Sequence, residues 1–271
     1  MPVIDDAAYV GAIPTHYHEG IGPFLFEPFA QLTAERVRAF GPRRVLETAA
    51  GTGIVTRRLR AALAADARLV ATDLNEPMLS IARRALGLEA DVRFVQADMC
   101  QLQFPNGEFD AVVCNFGLMF VPDKLAAMRE AHRVLARDGR LFLTTWAPLE
   151  RNPVVLAAHQ AIGAQFESDP PQYLRRAPFG YGDPDVLEAL LVQAGFSNVI
   201  VDVVERPTSA PGARSVAVGL VEGYPLVDEI KARGQVAVPA VVDAVAESIA
   251  RRYGEGPIKT RIAALCATAT A

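Results

Sequence analysis

Acidic and glycine-bearing positions recur at the ends of successive apolar runs, with a spacing that could build a pocket for a nucleoside. The run VLETAAGTG (45–53) closes on Gly51-Thr52-Gly53, and Asp73 follows twenty residues after Gly53. Glycine has no Cβ, so backbone at 51 and 53 can approach a ligand closely. A helix starting near Gly53 directs free N–H groups and the positive end of its dipole at the same point. Asp73, at the end of a second strand, is placed to accept hydrogen bonds from two ribose hydroxyls. Asp98, in QADM (96–99) after a third strand, is placed to accept from an adenine amino group, with Leu74 and Met99 able to sandwich the ring. Asn115-Phe116-Gly117, after a fourth strand, falls at the same edge.

Taken singly, each feature has a plain structural explanation. A glycine-rich turn can be only a tight connection. Asp73 can cap a helix, although Asn75 suits that position better, and Asp98 can be a solvated turn residue. Their joint spacing over three successive strand–helix turns is much harder to obtain from folding needs alone. A dinucleotide-binding oxidoreductase is the first competitor. Its G-x-G-x-x-G fingerprint needs a third glycine to pack helix on strand, and Thr56 stands there instead. An acid after the third strand also asks for a mononucleoside-like ligand.

These positions need a parallel sheet to bring them together. Strand-like runs at 43–48, 68–73, 91–96, 110–116 and 140–146 alternate with helix-like segments at 53–65, 76–86 and 123–136. Pro77 suits a first helical turn, and Asp138-Gly139 reads as a helix stop. The near-continuous apolar run DAVVCNF predicts a strand covered on both faces. This alternation implies right-handed crossovers with helices on both sides of the sheet. Beyond residue 147 the pattern changes. Residues 147–183 are rich in proline and glycine around a helix-like stretch at 154–166, and 183–195 reads as a helix with an Asp-Pro start. Residues 197–207 are a β-branched strand, 212–253 look mostly helical, and 258–270 read as a last strand or a helix. The aromatic stretch HYHEGIGPFLFEPFA (16–30) stands outside the alternation.

Composition bounds the rest. The 271 residues are 51% hydrophobic, enough for a sizeable core. A formal net charge of −4 argues against a mainly electrostatic grip on nucleic acid. Cys100, Cys114 and Cys266 have no metal-type spacing and read as free thiols in a reducing compartment. The N-terminus lacks the pattern of a secretory signal and no apolar stretch is long enough to span a membrane, so the expectation is a cytoplasmic protein.

The motifs VLETAAGTG (45–53), ATDLNEPMLSIAR (71–83), 95–123 and REAHRVLARDGRLFLTTW (129–146) resemble the class I S-adenosylmethionine (SAM)-dependent methyltransferases. The likeness is to their small-molecule branch, which includes the ubiquinone/menaquinone methylases, and covers about residues 40–150. It implies a Rossmann-like α/β fold of seven strands, with 197–207 and 258–270 as the last two and the final strand antiparallel. It implies residues 1–40 as lid helices, 41–147 as the SAM-binding core, and 148–271 as cap helices plus the last strands. The implied cofactor is S-adenosyl-L-methionine, leaving as S-adenosyl-L-homocysteine. Gly51 and Gly53 would line its methionine end, Asp73 the ribose, and Asp98 and Met99 the adenine, with Glu47, Ala49, Thr52, Leu74 and Met78 also among the cofactor-binding residues. Asn115 and Phe116 would face methyl transfer. The family's D-x-G-x-G-x-G pattern carries Glu47 at its acid and Ala49 at its first glycine, which adds one methyl beside the cofactor.

On the acceptor side, His16 and His18 are candidates for a general base or a substrate contact on an N-terminal lid. A base is needed only when the acceptor is protonated, as a phenol or carbon acid is. Tyr17, Phe24, Trp146 and His159 are candidates for an acceptor wall, with plain core packing as the alternative for the aromatics. No metal constellation is seen. The expected reaction is methylation of a small, partly apolar acceptor, at oxygen or carbon of a phenol- or quinol-like ring first and at nitrogen or sulfur next. A SAM-binding regulatory or assembly protein is the alternative. The apolar helices of 212–253 would serve as a lid or as the contact of a homodimer.

Overall fold

The computed structural model describes residues 5–87 and 91–271. Helix α1 (Ile13–His16) runs into a π-helix at Tyr17–Phe26 and then into α2 (Glu27–Phe40). There follow β1 (Arg44–Thr48), α3 (Ile54–Ala62), β2 (Arg68–Asp73), α4 (Glu76–Leu86), β3 (Arg93–Gln96) and β4 (Phe109–Asn115). Next come α5 (Lys124–Val134), β5 (Leu135–Trp146), α6 (Pro153–Gly163), α7 (Tyr173–Arg176) and α8 (Pro184–Gln193). The chain ends with β6 (Ser197–Ala210), α9 (Ala213–Glu222), α10 (Leu226–Arg233), α11 (Val238–Tyr253) and β7 (Ile258–Thr270).

The seven strands form one sheet in the order β3-β2-β1-β4-β5-β7-β6. The first five strands pair in parallel, while β7 runs antiparallel to both β5 and β6. This is the doubly wound, Rossmann-like arrangement that the alternation and the resemblance implied. Both faces of the sheet are covered. Val45, Leu69, Ala111, Val113 and Phe142 enter one apolar cluster, and Leu46, Val70, Val112, Leu141 and Leu143 enter the other. Neighbouring residues of a strand point to opposite faces, so a strand buried on both sides must be apolar throughout. That is why β4 reads as a continuous apolar run.

Two local outcomes differ from the sequence pattern. The helix expected to reach residue 136 ends at Val134, because Leu135 is drawn into β5 opposite Phe109. The register of β4 on β5 shifts between Phe109 and Ala111, and Asp138 turns the chain there with a φ of 63°. Segment 258–270, open to either reading, is a strand because it fills the place between β5 and β6. The aromatic segment outside the alternation becomes the π-helix, whose exit is marked by Glu27 N–H bonding to Gly22 O. Helices α9 and α11 pack with the π-helix and α6.

The turn after β1 carries a specific constraint. Ala49 adopts a left-handed φ of 53°, a region that costs a residue with a Cβ about 1–2 kcal/mol. A Cβ at Gly117 would stand 2.2 Å from the Ala49 Cβ. Both positions are fixed by backbone, so no side-chain rotation can relieve that clash. Gly117→Ala should therefore destabilise the fold by about 1–3 kcal/mol in urea unfolding. Ala49→Gly should be neutral or stabilising by up to about 1 kcal/mol. The double variant should recover most of the loss, and a coupling near zero would show that the two positions do not compete for one space.

Candidate functional site

The sheet order reverses between β1 and β4, and ligands of open α/β sheets bind outside the strand ends at such a point. A cavity of about 340 Å³ opens there. Asp73 lines it, buried at the end of β2. One carboxylate oxygen accepts the Gly51 N–H and the other the Asn75 N–H, both at 2.8 Å. Burial pushes the Asp73 carboxyl up, and these backbone donors pull it back. A carboxylate oxygen has two acceptor sites, so each can still take a bond from a ligand. Asp98 also borders the cavity, with Oδ1 accepting the Cys100 N–H at 2.8 Å.

Most of the expected cofactor residues gather at this cavity. Ala49, Gly51, Asp73, Leu74, Met78, Asp98, Met99, Asn115 and Phe116 all line it. Asn115 is held from behind by α2, its Nδ2 lying 3.0 Å from the Thr33 hydroxyl. Phe116 takes a positive φ of 58°. Its ring stacks on Trp146 at 4.1 Å, and Trp146 in turn stacks on Phe179 at 5.4 Å. Three expected cofactor residues sit elsewhere. Gly53 lies under α4, where a Cβ would come within 2.9 Å of the Ala82 Cβ, so close helix packing accounts for it. Thr52 is buried beside a small adjoining cavity and its hydroxyl is 2.9 Å from His18 Nδ1.

Glu47 is buried at the end of β1, away from the cavity lining. Burial raises its carboxyl to about 8, the Thr56 hydroxyl counteracts, and the Asp73 charge adds to the rise. One Glu47 oxygen is buried without a hydrogen-bond partner among the described residues. A carboxyl with such a value is protonated at neutral pH.

The acceptor-side candidates divide. Tyr17 borders the cavity. Phe24 and Trp146 do not, because both are fully buried in the core. Trp146 instead backs Phe116. His159 lies on α6, half-buried near Arg175 and Glu150, away from the cavity. His16 pairs with Glu222 at 3.4 Å. His18 is engaged with Thr52, and burial together with Arg57 lowers its pKa. Neither histidine lines the cavity.

One group within the segment expected as lid helices has no named candidate in the sequence. Asp5, Ala7 and Tyr9 cross the cavity as a strap without helix or strand. The acidic start MPVIDDAAYV carries no periodicity that marks it as a site segment. Asn75, expected as a helix cap, spends its side chain on this strap by donating Nδ2–H to Ala7 O at 3.0 Å. Cys100 also faces the cavity, but burial and the Asp98 charge raise its thiol to about 11, so it is not a thiolate. Among the described residues, no group of side chains could hold a metal ion. No helix among them is long and apolar enough to cross a membrane.

Comparison with known proteins agrees with this geometry. Residues 46–143 match the family described as "Methyltransferase domain". The chain is 33% identical over 169 residues to the ubiquinone/menaquinone biosynthesis C-methyltransferase UbiE of Ectopseudomonas mendocina (strain ymp). The match covers 58% of this chain and 66% of that relative, a little under two thirds of its length. Among solved structures, phosphoethanolamine N-methyltransferase 2 of Haemonchus contortus, in complex with phosphomonomethylethanolamine and S-adenosylhomocysteine, superposes with a TM-score of 0.61. It shares 15% identity, over 100% of this chain and 61% of that one. The [4+2]-cyclase SpnF superposes with a TM-score of 0.55 at 20% identity, covering 90% and 80% of the two chains. At such identities these two show the fold alone.

The Glu47 carboxyl supplies a test of the site's electrostatics. Its folded pKa of about 8 lies above the usual 4.5, so the folded state holds a proton that the unfolded state has lost. Its contribution should therefore fall as pH rises from about 4.5 to about 8. Glu47→Gln, which cannot ionise, should gain stability relative to the parent over that window, by a few kcal/mol at pH 8–9. Urea midpoints at pH 5 and pH 8.5 measure this, and an equal difference at both pH values would place an ionised carboxylate in the core.

Proposed function

We propose that this chain transfers a methyl group from SAM to a small, partly apolar acceptor, because residues 46–143 match a methyltransferase domain family and the chain is similar to a C-methyltransferase. SAM is the cofactor of that domain family. Oxygen or carbon of a phenol- or quinol-like ring is the favoured target, in keeping with the C-methyltransferase named among the relatives. The observation that carries the reading is the lining of the cavity. Its described residues include the carboxylates of Asp5, Asp73 and Asp98 and no lysine, arginine or histidine. Such a lining suits a positively charged ligand.

The residues fit the cofactor. Asp73 would hold the ribose hydroxyls through oxygens already steadied by Gly51 and Asn75. Asp98 would receive the adenine amino group, with Leu74 and Met99 along the ring. The turn at Ala49–Gly51 and the Asn115–Phe116 pair would border the donor end. When bound, SAM supplies an electrophilic methyl group on a cationic sulfonium. The chain's task is then to align the acceptor and exclude water. Phe116 and Tyr17 give that end aromatic walls, and burial keeps the Tyr17 hydroxyl protonated. We read residues 1–40 and the helices within 148–271 as lid and cap over a core at 41–147. His16 and His18 then act as lid residues.

Calorimetry with SAM, S-adenosylhomocysteine and NAD tests the cofactor. The first two should bind and NAD should not, while tight NAD binding alone would defeat the reading. Asp73→Ala should weaken SAM binding about 100-fold, since it removes charge-assisted hydrogen bonds worth about 1.5–3 kcal/mol each. Transfer of labelled methyl into phenol- and quinol-containing extracts tests the reaction. Absence of any labelled product would leave the protein a SAM binder.

A further inference from the structure

We propose that Tyr9 fills the acceptor subsite with its own phenol, and that an aromatic acceptor bearing a hydroxyl or carbonyl oxygen takes the place of this ring when the strap moves aside. The proposal rests on the methyl-transfer reading above. Tyr9 borders the cavity and is only 6% exposed. Its ring is boxed edge-on by Tyr17 at 5.7 Å, Phe120 at 5.8 Å and Tyr224 at 6.4 Å. Tyr17 and Phe120 are themselves cavity walls. A box of aromatic rings at such spacings suits an aromatic guest.

The polar end of the box is also set for a ring oxygen. The Tyr173 hydroxyl donates to Asp6 O at 3.0 Å. Its proton is thus committed, so the Tyr9 hydroxyl is the donor in the loose 3.5 Å contact with the Tyr173 oxygen. The Tyr224 hydroxyl, in the same cluster, is buried with no hydrogen-bond partner among the described residues. Buried polar groups are seldom left so, and an unmet hydroxyl beside the subsite can serve an incoming oxygen. Burial raises the Tyr9, Tyr17, Tyr173 and Tyr224 hydroxyls above the ordinary phenol range, so all four stay protonated and able to donate. With no cationic side chain among the described lining residues, an acceptor phosphate or carboxylate would have no counter-charge in the cavity.

The strap is fastened by few bonds. The Arg176 guanidinium reaches the Asp6 carboxylate at 2.6 and 3.2 Å, and Asn75 and Tyr173 bond to the backbone oxygens of Ala7 and Asp6. Arg176 is about half exposed, so water can compete for its bonds to Asp6. Arg176 also bonds to the buried Glu229 at 2.6 Å, so it stays anchored to α10 when Asp6 departs. The tether can open without dismantling the cap.

The test uses p-cresol, which is the tyrosine side chain itself, on protein saturated with S-adenosylhomocysteine. Tyr9→Ala should bind p-cresol saturably and at least ten-fold tighter than the parent, with toluene at least five-fold weaker. Adding Tyr173→Phe and Tyr224→Phe together should abolish that preference for the hydroxyl. Equal binding by parent and variant, or no binding by a folded Tyr9→Ala, would overturn the proposal. S-adenosylhomocysteine affinity is read on the same samples. Its loss would count against the methyl-transfer reading, while p-cresol binding to the cofactor-free protein would still decide the subsite. Should Tyr9→Ala not fold, Asp6→Asn is the second variant. It loosens the strap alone and should lower the apparent Kd for p-cresol several-fold, because a larger share of molecules has the subsite open. An unchanged Kd would overturn the proposal.

Discussion

One buried residue ties the three turns of this site together. The Asp73 carboxylate takes the Gly51 N–H from the first turn and the Asn75 N–H from the second. Its backbone oxygen takes the Ala97 N–H from the third at 3.0 Å. A carboxylate withdrawn from water is costly unless donors replace the lost solvation. The backbone supplies those donors, and in doing so fixes the shape of the cavity mouth. Asp73 thus holds its own surroundings in place as well as facing the ligand. The glycine turn, the start of α4 and the loop bearing Asp98 all inherit their positions from it.

A second layer of constraint lies on the other side of the switch point. Phe116 holds a backbone conformation that a bulky residue rarely adopts. Its N–H is bonded to Thr144 O at 2.8 Å, and its ring lies on Trp146. Packing and hydrogen bonding over-determine the strained residue, which is how such strain persists. Trp146 therefore influences the cavity without touching it. The same holds for Thr33, which steadies Asn115 from α2.

The parallel part of the fold was legible because its physics is local. Apolar strands, first-turn prolines and glycine stops repeat with short periods, and β2 and α4 fall on the residues their patterns indicate. The acids at the strand ends were legible for the same reason, since each follows a recognisable strand. What stayed hidden depends on partners remote in sequence. Asp6 meets Arg176 across 170 residues, and no pattern at either end announces it. Phe24 and Trp146 share the residue types of an acceptor wall, yet the packing of the π-helix and α2 on the sheet turns them into core. Composition separates an aromatic wall from an aromatic core poorly, because both are apolar and both are buried.

The π-helix at Tyr17–Phe26 carries a consequence for how this segment can change over time. Its hydrogen bonds close i to i+5, so each loop encloses one more residue than in an α-helix closing i to i+4. Tyr17 stacks on Phe26 at 4.8 Å across the full length of the segment, and Tyr17 also reaches the cavity. Removing a single residue there would favour the narrower helix and rotate Tyr17 and His18 relative to α2. Side-chain replacements leave that angular setting intact. The length of the segment is therefore the more conserved quantity to look for among related chains, ahead of the identity of the residues within it.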